Sequence, residues 1–221
     1  MYILTQSEGF ENPQNNIYQV QGTELEKQYL DAGYQRHERS YKIEYEYKEY
    51  AIICLEFRDD RKGSEPIVII PEFLIPRRPY PVFIYLYAIN LYSGTPEKGQ
   101  RWAAAETRKQ FGLASFAHTT LGRALKVFVC NIEKTTKASD DSCVETLDNG
   151  KEKSEAQKTN TEQCDMVKKS VFPTVQSTEA LRKRAAQFLS GMLTKPVKQQ
   201  TIAICYELVR KWFKEYRQFL I

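Results

Sequence analysis

The chain has 221 residues, 42% of them apolar, and a formal net charge of +4, which permits one full domain or two small ones with a real core. Its five cysteines, Cys54, Cys130, Cys143, Cys164 and Cys205, are odd in number, widely spaced and free of any C-x-x-C pair, so neither a disulfide framework nor a zinc site is indicated. The longest apolar run, Val82 to Leu91, is about half the roughly 20 residues a membrane helix needs, and the start MYILTQSEGFENPQ lacks the basic and apolar parts of a signal peptide. The expectation is a soluble, cytoplasmic protein with reduced thiols.

Charge is segregated. Residues 1–70 sum to −5, 71–130 to +5, 131–171 to −2 and 172–221 to +6. The basic regions suit a polyanionic partner better than the net charge suggests.

Residues 1–33 are polar and offer only a short helix near Thr23–Ala32. From Gln35 to Phe57 apolar residues alternate. Tyr41, Ile43, Tyr45 and Tyr47 share one face, and Ala51, Ile53, Leu55 and Phe57 follow after a reversal near Lys48–Glu49, which predicts a β-hairpin. Pro66–Ile70 supplies a third strand, so residues 34–70 read as a small antiparallel sheet. The tyrosines could stack single-stranded bases, but aromatics favour strands on packing grounds alone and the region is acidic.

Residues 71–130 read as three helices. Pro71, Pro76, Pro79 and Pro81 enforce an extended lead-in to VFIYLYAINLY, which is apolar nearly all round and predicts a buried helix. The second, Gln100–Phe111, stacks Ala103, Ala104, Thr107 and Phe111 on one face, and Gly112 supplies the positive φ that ends such a helix. The loop GLASFA leads to the third, His118–Val129, with Leu121, Ala124, Leu125 and Phe128 on one side and Thr119, Arg123 and Lys126 on the other. That is the outline of a helix-turn-helix, in which the apolar back of the second helix anchors it while short polar and basic residues meet phosphates and base edges.

Residues 131–171 hold many Lys, Glu, Thr and Ser and no aromatic residue, and read as a disordered linker. Residues 172–221 read as a helical pair. Ser177 or Thr178 caps the first helix, with Leu181, Ala185, Phe188, Leu189 and Met192 on its apolar side. The second starts at Pro196 and spaces Ile202, Tyr206, Val209, Phe213, Tyr216 and Leu220 by three or four. The pair is short of core by itself; it packs on the three-helix unit, dimerises, or adds a second basic surface.

The residues IPEFLIPRRPYPVF, followed by RWAAAETRKQFGLASFAHTTLGRALK, resemble an uncharacterised bacterial family frequent in mobile-element contexts. Its members place a small zinc ribbon before a leucine-proline-aspartate-phenylalanine-like segment and then a transposase-type helix-turn-helix. The resemblance covers about Tyr34 to Lys126. The family's third helix reads Ser/His-x-Thr-hydrophobic-x-Arg-x-Leu, matched here by His118, Thr120, Leu121, Arg123 and Leu125. The ribbon's paired cysteines are absent, and Cys54 stands alone in its hairpin. The resemblance therefore implies a ribbon shape without its metal, held by Tyr, Ile and Phe packing.

Enzymatic chemistry finds little support. Transposase catalysis needs three carboxylates on an RNase-H-like sheet, and the last fifty residues hold only Glu179, Glu207 and Glu215 as acids. The only histidines are His37 and His118, and Gly99, Gly112 and Gly122 are too dispersed for a phosphate loop. The expectation is an α+β, mostly α protein without catalytic residues, metal, cofactor or small-molecule substrate. It would bind double-stranded DNA, with a homodimer as a further candidate state. Thr119, Thr120 and Arg123 would meet base edges, Arg101, Lys109 and Lys126 phosphates, and His118 a helix-start or phosphate contact. The rival is a protein–protein interaction module or dimerising helical domain whose basic residues only solubilise it.

Overall fold

The computed structural model describes residues 1–5, 16–21, 24–59, 64–141, 177–190 and 198–221, with side chains described at all of these except 135–141 and 198–203. Within them the fold is mixed, with a five-stranded sheet and six helices. The strands are β1 (Tyr2–Thr5), β2 (Ile17–Gln19), β3 (Gln35–Tyr45), β4 (Lys48–Arg58) and β5 (Ile67–Pro71). The helices are α1 (Glu24–Asp31), α2 (Val82–Gly94), α3 (Gln100–Phe111), α4 (His118–Asp141), α5 (Thr178–Ser190) and α6 (Lys198–Tyr216).

β4 organises the sheet. β3 runs antiparallel along its whole length, from Gln35 opposite Arg58 to Tyr45 opposite Lys48. β2, parallel at Ala51–Ile53, and β5, antiparallel at Leu55–Phe57, therefore share its other edge, and β1 adds in parallel outside β5. The three expected strands are present, but the sheet is mixed rather than antiparallel, because two further strands come from the polar first twenty residues. The hairpin reverses at Glu46 and Tyr47, both at positive φ (48° and 58°), slightly earlier than the expected Lys48–Glu49. Two consecutive left-handed residues are what a two-residue hairpin loop demands. Tyr47 thus sits in the turn and not on the strand face.

β4 is apolar on both faces because both are covered. Tyr29 of α1 lays its ring 5.1 Å from that of Phe57 on one side. The opposite side carries Tyr18 against Phe73 (5.1 Å), Tyr45 against Phe83 (5.7 Å) and Tyr2 against Phe219 (5.5 Å), joining sheet to helices. α2 is the central helix, buried nearly all round and touching α3, α4, α5 and α6. Its aromatic and aliphatic girth leaves no polar face, as its sequence foretells. Sheet and helices share a continuous apolar core that includes Leu181, Leu189, Val209 and Trp212 of the last two helices.

One expectation is revised, by the length of a helix. α4 continues to Asp141, past its expected end at Val129, so the linker expected from residue 131 begins as helix; its remainder, 142–171, lies outside the described residues. The last two helices pack on the three-helix unit. Ser177 caps α5 by accepting the Ala180 N–H at 3.2 Å. Arg182 lies 4.3 Å over the Tyr92 ring and donates to the Pro96 carbonyl at 3.0 Å and to that of Thr95. Arg210 of α6 meets Glu72 at 3.3 Å, and Asn131 of α4 donates to the Phe219 carbonyl at 3.0 Å.

Candidate nucleic-acid interface

α3 ends because Gly112 enters the left-handed region (φ 57°, ψ 55°) and returns its N–H to the Arg108 carbonyl, a conformation glycine adopts without Cβ strain. The six residues from Gly112 to Ala117 then lead to α4. This turn is longer than the three or four residues usual in a helix-turn-helix, but it is held from both sides. Leu113 and Phe116 are buried, 1% and 5% exposed. The hairpin tip inserts against it: the Glu46 N–H donates to the Phe111 carbonyl at 3.1 Å, the Tyr47 N–H to the Gly112 carbonyl at 2.5 Å, and Glu44 accepts the Ala114 N–H. On the other flank the Tyr80 hydroxyl donates to the Ser115 carbonyl. The sheet thus serves as a brace for the turn.

The expected apolar faces are buried. Ala103, Ala104, Thr107 and Phe111 of α3 face inward, with the Thr107 hydroxyl donating to the Ala103 carbonyl at 2.7 Å. Leu121, Ala124, Leu125, Phe128 and Val129 anchor α4, each at most 1% exposed. Full burial of such side chains is worth roughly 1.5–3 kcal/mol for each large one, so the orientation of α4 is fixed.

The opposite face of α4 is open. Thr119, Arg123 and Lys126 are exposed and line up at helical spacing with exposed Cys130 and Lys134. Thr120 is half-buried and points off this line, and His118 is exposed at the first residue. On α3, Arg101 and Lys109 are exposed together with Arg108, which the sequence reading passed over. No ion pair forms at Arg101, Lys109, Arg123 or Lys126 among the described residues. The acids between Gln100 and Lys134 are Glu106 and Glu133, and Glu133 is paired with Arg184 of α5. The surface is therefore basic with its charges unspent.

Two neighbours were not legible in advance. Gly122 lets α3 cross closely, since a β-carbon there would stand 3.2 Å from the Gln100 side-chain oxygen. α5 lies along one flank of α4 through Phe128 and Phe188, whose rings are 5.6 Å apart. Its first turn brings Thr178 and Leu181 beside Thr119, Arg123 and Lys126 around an open depression of about 310 Å³.

Among the described residues no group of three or more His, Cys, Asp or Glu could hold a metal ion. The most buried carboxylate of the sheet, Glu56 at 1% exposure, has one oxygen 2.8 Å from Arg39 Nε and the other 3.0 Å from Arg58 Nε. With both oxygens engaged it ties β3 to β4. The Cys54 and Cys205 thiols are pushed up to about 12 by burial, which removes their nucleophilic form at neutral pH. No described helix is long and apolar enough to cross a membrane. Comparison with known protein families, with curated proteins and with solved structures finds no match to the chain.

Proposed function

We propose that the chain is a non-catalytic DNA-binding protein that lays α4 in the major groove of duplex DNA, in the manner of the transposase-type helix-turn-helix its sequence resembles. One observation carries the reading: α4 is anchored along one side from Leu121 to Val129 and presents Thr119, Arg123 and Lys126 in an unpaired line along the other. Arg123 reads a base edge and Thr119 sits beside it. Thr120, half-buried, makes at most a contact at the edge of the groove. Arg101, Lys109 and Lys126 hold phosphates, and His118 meets one at the helix start. The large apolar side chains exposed among the described residues are Met1, Ile17, Leu30 and Tyr47, none of them on α3 or α4. An apolar protein-docking face on these helices is thereby disfavoured.

The test is fluorescence anisotropy with labelled duplexes at two salt concentrations. Binding to random duplex weakens steeply with salt through counterion release. After selection of a preferred site, Arg123→Ala loses about 1–3 kcal/mol of discrimination, whereas Lys126→Ala weakens all duplexes alike. Equal losses from both on every duplex, or no binding at low salt, would overturn the assignment.

A further inference from the structure

Two depressions share the first turn of α5. The one already described is walled by Gln100, Thr119, Arg123, Lys126 and Thr178. The second, of about 550 Å³, is walled by Thr178 again, with Tyr92, Ser93, Arg182 and Lys183, and by Glu179, whose carboxylate is paired with Lys183 at 3.2 Å. Thr178 lines both, which sets the two side by side as a two-part trough at the start of the helix.

Three features of this trough point to an anion. Arg123 and Lys126 face the first depression with no acid in its wall. Arg182 is held in the second by the Tyr92 ring and two carbonyls, so its charge is fixed in place before any ligand arrives. Ser93, only 8% exposed, belongs to the wall of the second depression, and its hydroxyl, buried behind that wall, has no hydrogen-bond partner among the described residues. A buried hydroxyl without a partner carries a desolvation cost that a ligand oxygen would relieve. The start of α5 adds the positive end of its dipole.

We infer that a DNA backbone crosses the first turn of α5, with phosphates in both depressions, so that α5 forms part of the DNA surface as well as supporting α4. This rests on the DNA reading above and extends it to a helix far away in sequence. It assigns Thr178 and Arg182 to direct phosphate contact, with Ser93 in the wall behind them, and it makes affinity depend on the docking of the C-terminal helices.

The experiment compares full-length protein with Thr178→Glu and Thr178→Lys by anisotropy against random-sequence and preferred-site duplexes over a range of salt. An acid in the first helical turn favours the helix, so Thr178→Glu leaves α5 at least as stable while opposing phosphate. It is expected to weaken every duplex about tenfold and to make the salt dependence shallower by about one counterion, with the Arg123-dependent preference intact. Thr178→Lys, unfavourable to the helix, is expected to bind at least as tightly as the parent. Losses from both variants would trace to displacement of α5 and would overturn the phosphate track. Unchanged binding by Thr178→Glu would overturn it and leave the DNA reading standing, whereas a parent protein that binds no duplex overturns both.

Discussion

The ring of Tyr47 covers Gly112 so closely that a β-carbon on the glycine would stand 2.9 Å from a ring atom. A residue in the tip of a β-hairpin thereby adds a steric constraint at the residue that ends α3, where the φ of 57° already favours glycine. The turn beside this contact leads directly into α4.

Replacing Gly112 by alanine is expected to destabilise the protein by about 1–2 kcal/mol from left-handed strain alone, with a further loss from displacing Tyr47. Urea denaturation would read both. Tyr47→Gly removes the clash and relieves its own positive φ, so the double variant should be less destabilised than the sum of the singles. A neutral Gly112→Ala would show that the hairpin does not brace the turn.

Cys130 sits in the open line of α4 between Lys126 and Lys134. Alkylation followed by peptide mapping should label it readily in the native protein, whereas Cys54 and Cys205, both buried, react only on unfolding. Saturating duplex DNA should protect Cys130. Full labelling of Cys130 in the bound complex would place the DNA elsewhere.

Alkaline stability follows from the same buried thiols. Cys54 and Cys205 are raised from 9.0 to about 12 by desolvation, so between these values the unfolded chain has lost protons that the folded chain keeps. The folded state therefore weakens as pH rises through this window, by about 1.4 kcal/mol per pH unit for each such group. Below pH 9 neither thiol contributes any pH dependence. Urea midpoints at pH 8 and 10.5 would show the fall, and Cys205→Ala should reduce it.

The Glu56 clasp is asymmetric. Arg39 contacts both carboxylate oxygens, at 2.8 and 3.3 Å, while Arg58 contacts one at 3.0 Å and is the more exposed of the two. Arg39→Ala is expected to cost about 1–3 kcal/mol, the range for a hydrogen bond to a buried charge, and Arg58→Ala distinctly less. Equal costs by thermal or urea denaturation would contradict this division.

Much of α3 and α4 was legible because their signals are local. The period of 3.6 residues separates Leu121, Leu125 and Phe128 from Thr119, Arg123 and Lys126, and Gly112 marks the break. The same period carried past Val129 already places Cys130 and Lys134 on the open line, but the polar composition after Asn131 masked the continuing helix. β1 and β2 were not legible. Residues Tyr2–Thr5 become a strand through pairing with Val68–Pro71, a partner far along the chain, and nothing in four residues announces that. The hairpin turn was displaced because Glu46 and Tyr47 occupy positions that usually hold asparagine or glycine. The place of α5 beside α4 is a long-range packing fact with no local pattern at all.

The contact between Tyr2 and Phe219 also orders events in time. The β3–β4 hairpin and the α2–α3–α4 unit are built from neighbours in sequence, whereas the ring of Tyr2 acquires its cover only once Phe219, far along the chain, is available. Long-range closures of this kind slow folding. A ribosome-bound chain ending just after α4 would therefore hold the residues of the turn and its helix while the Tyr2 edge of the sheet still lacked its Phe219 cover.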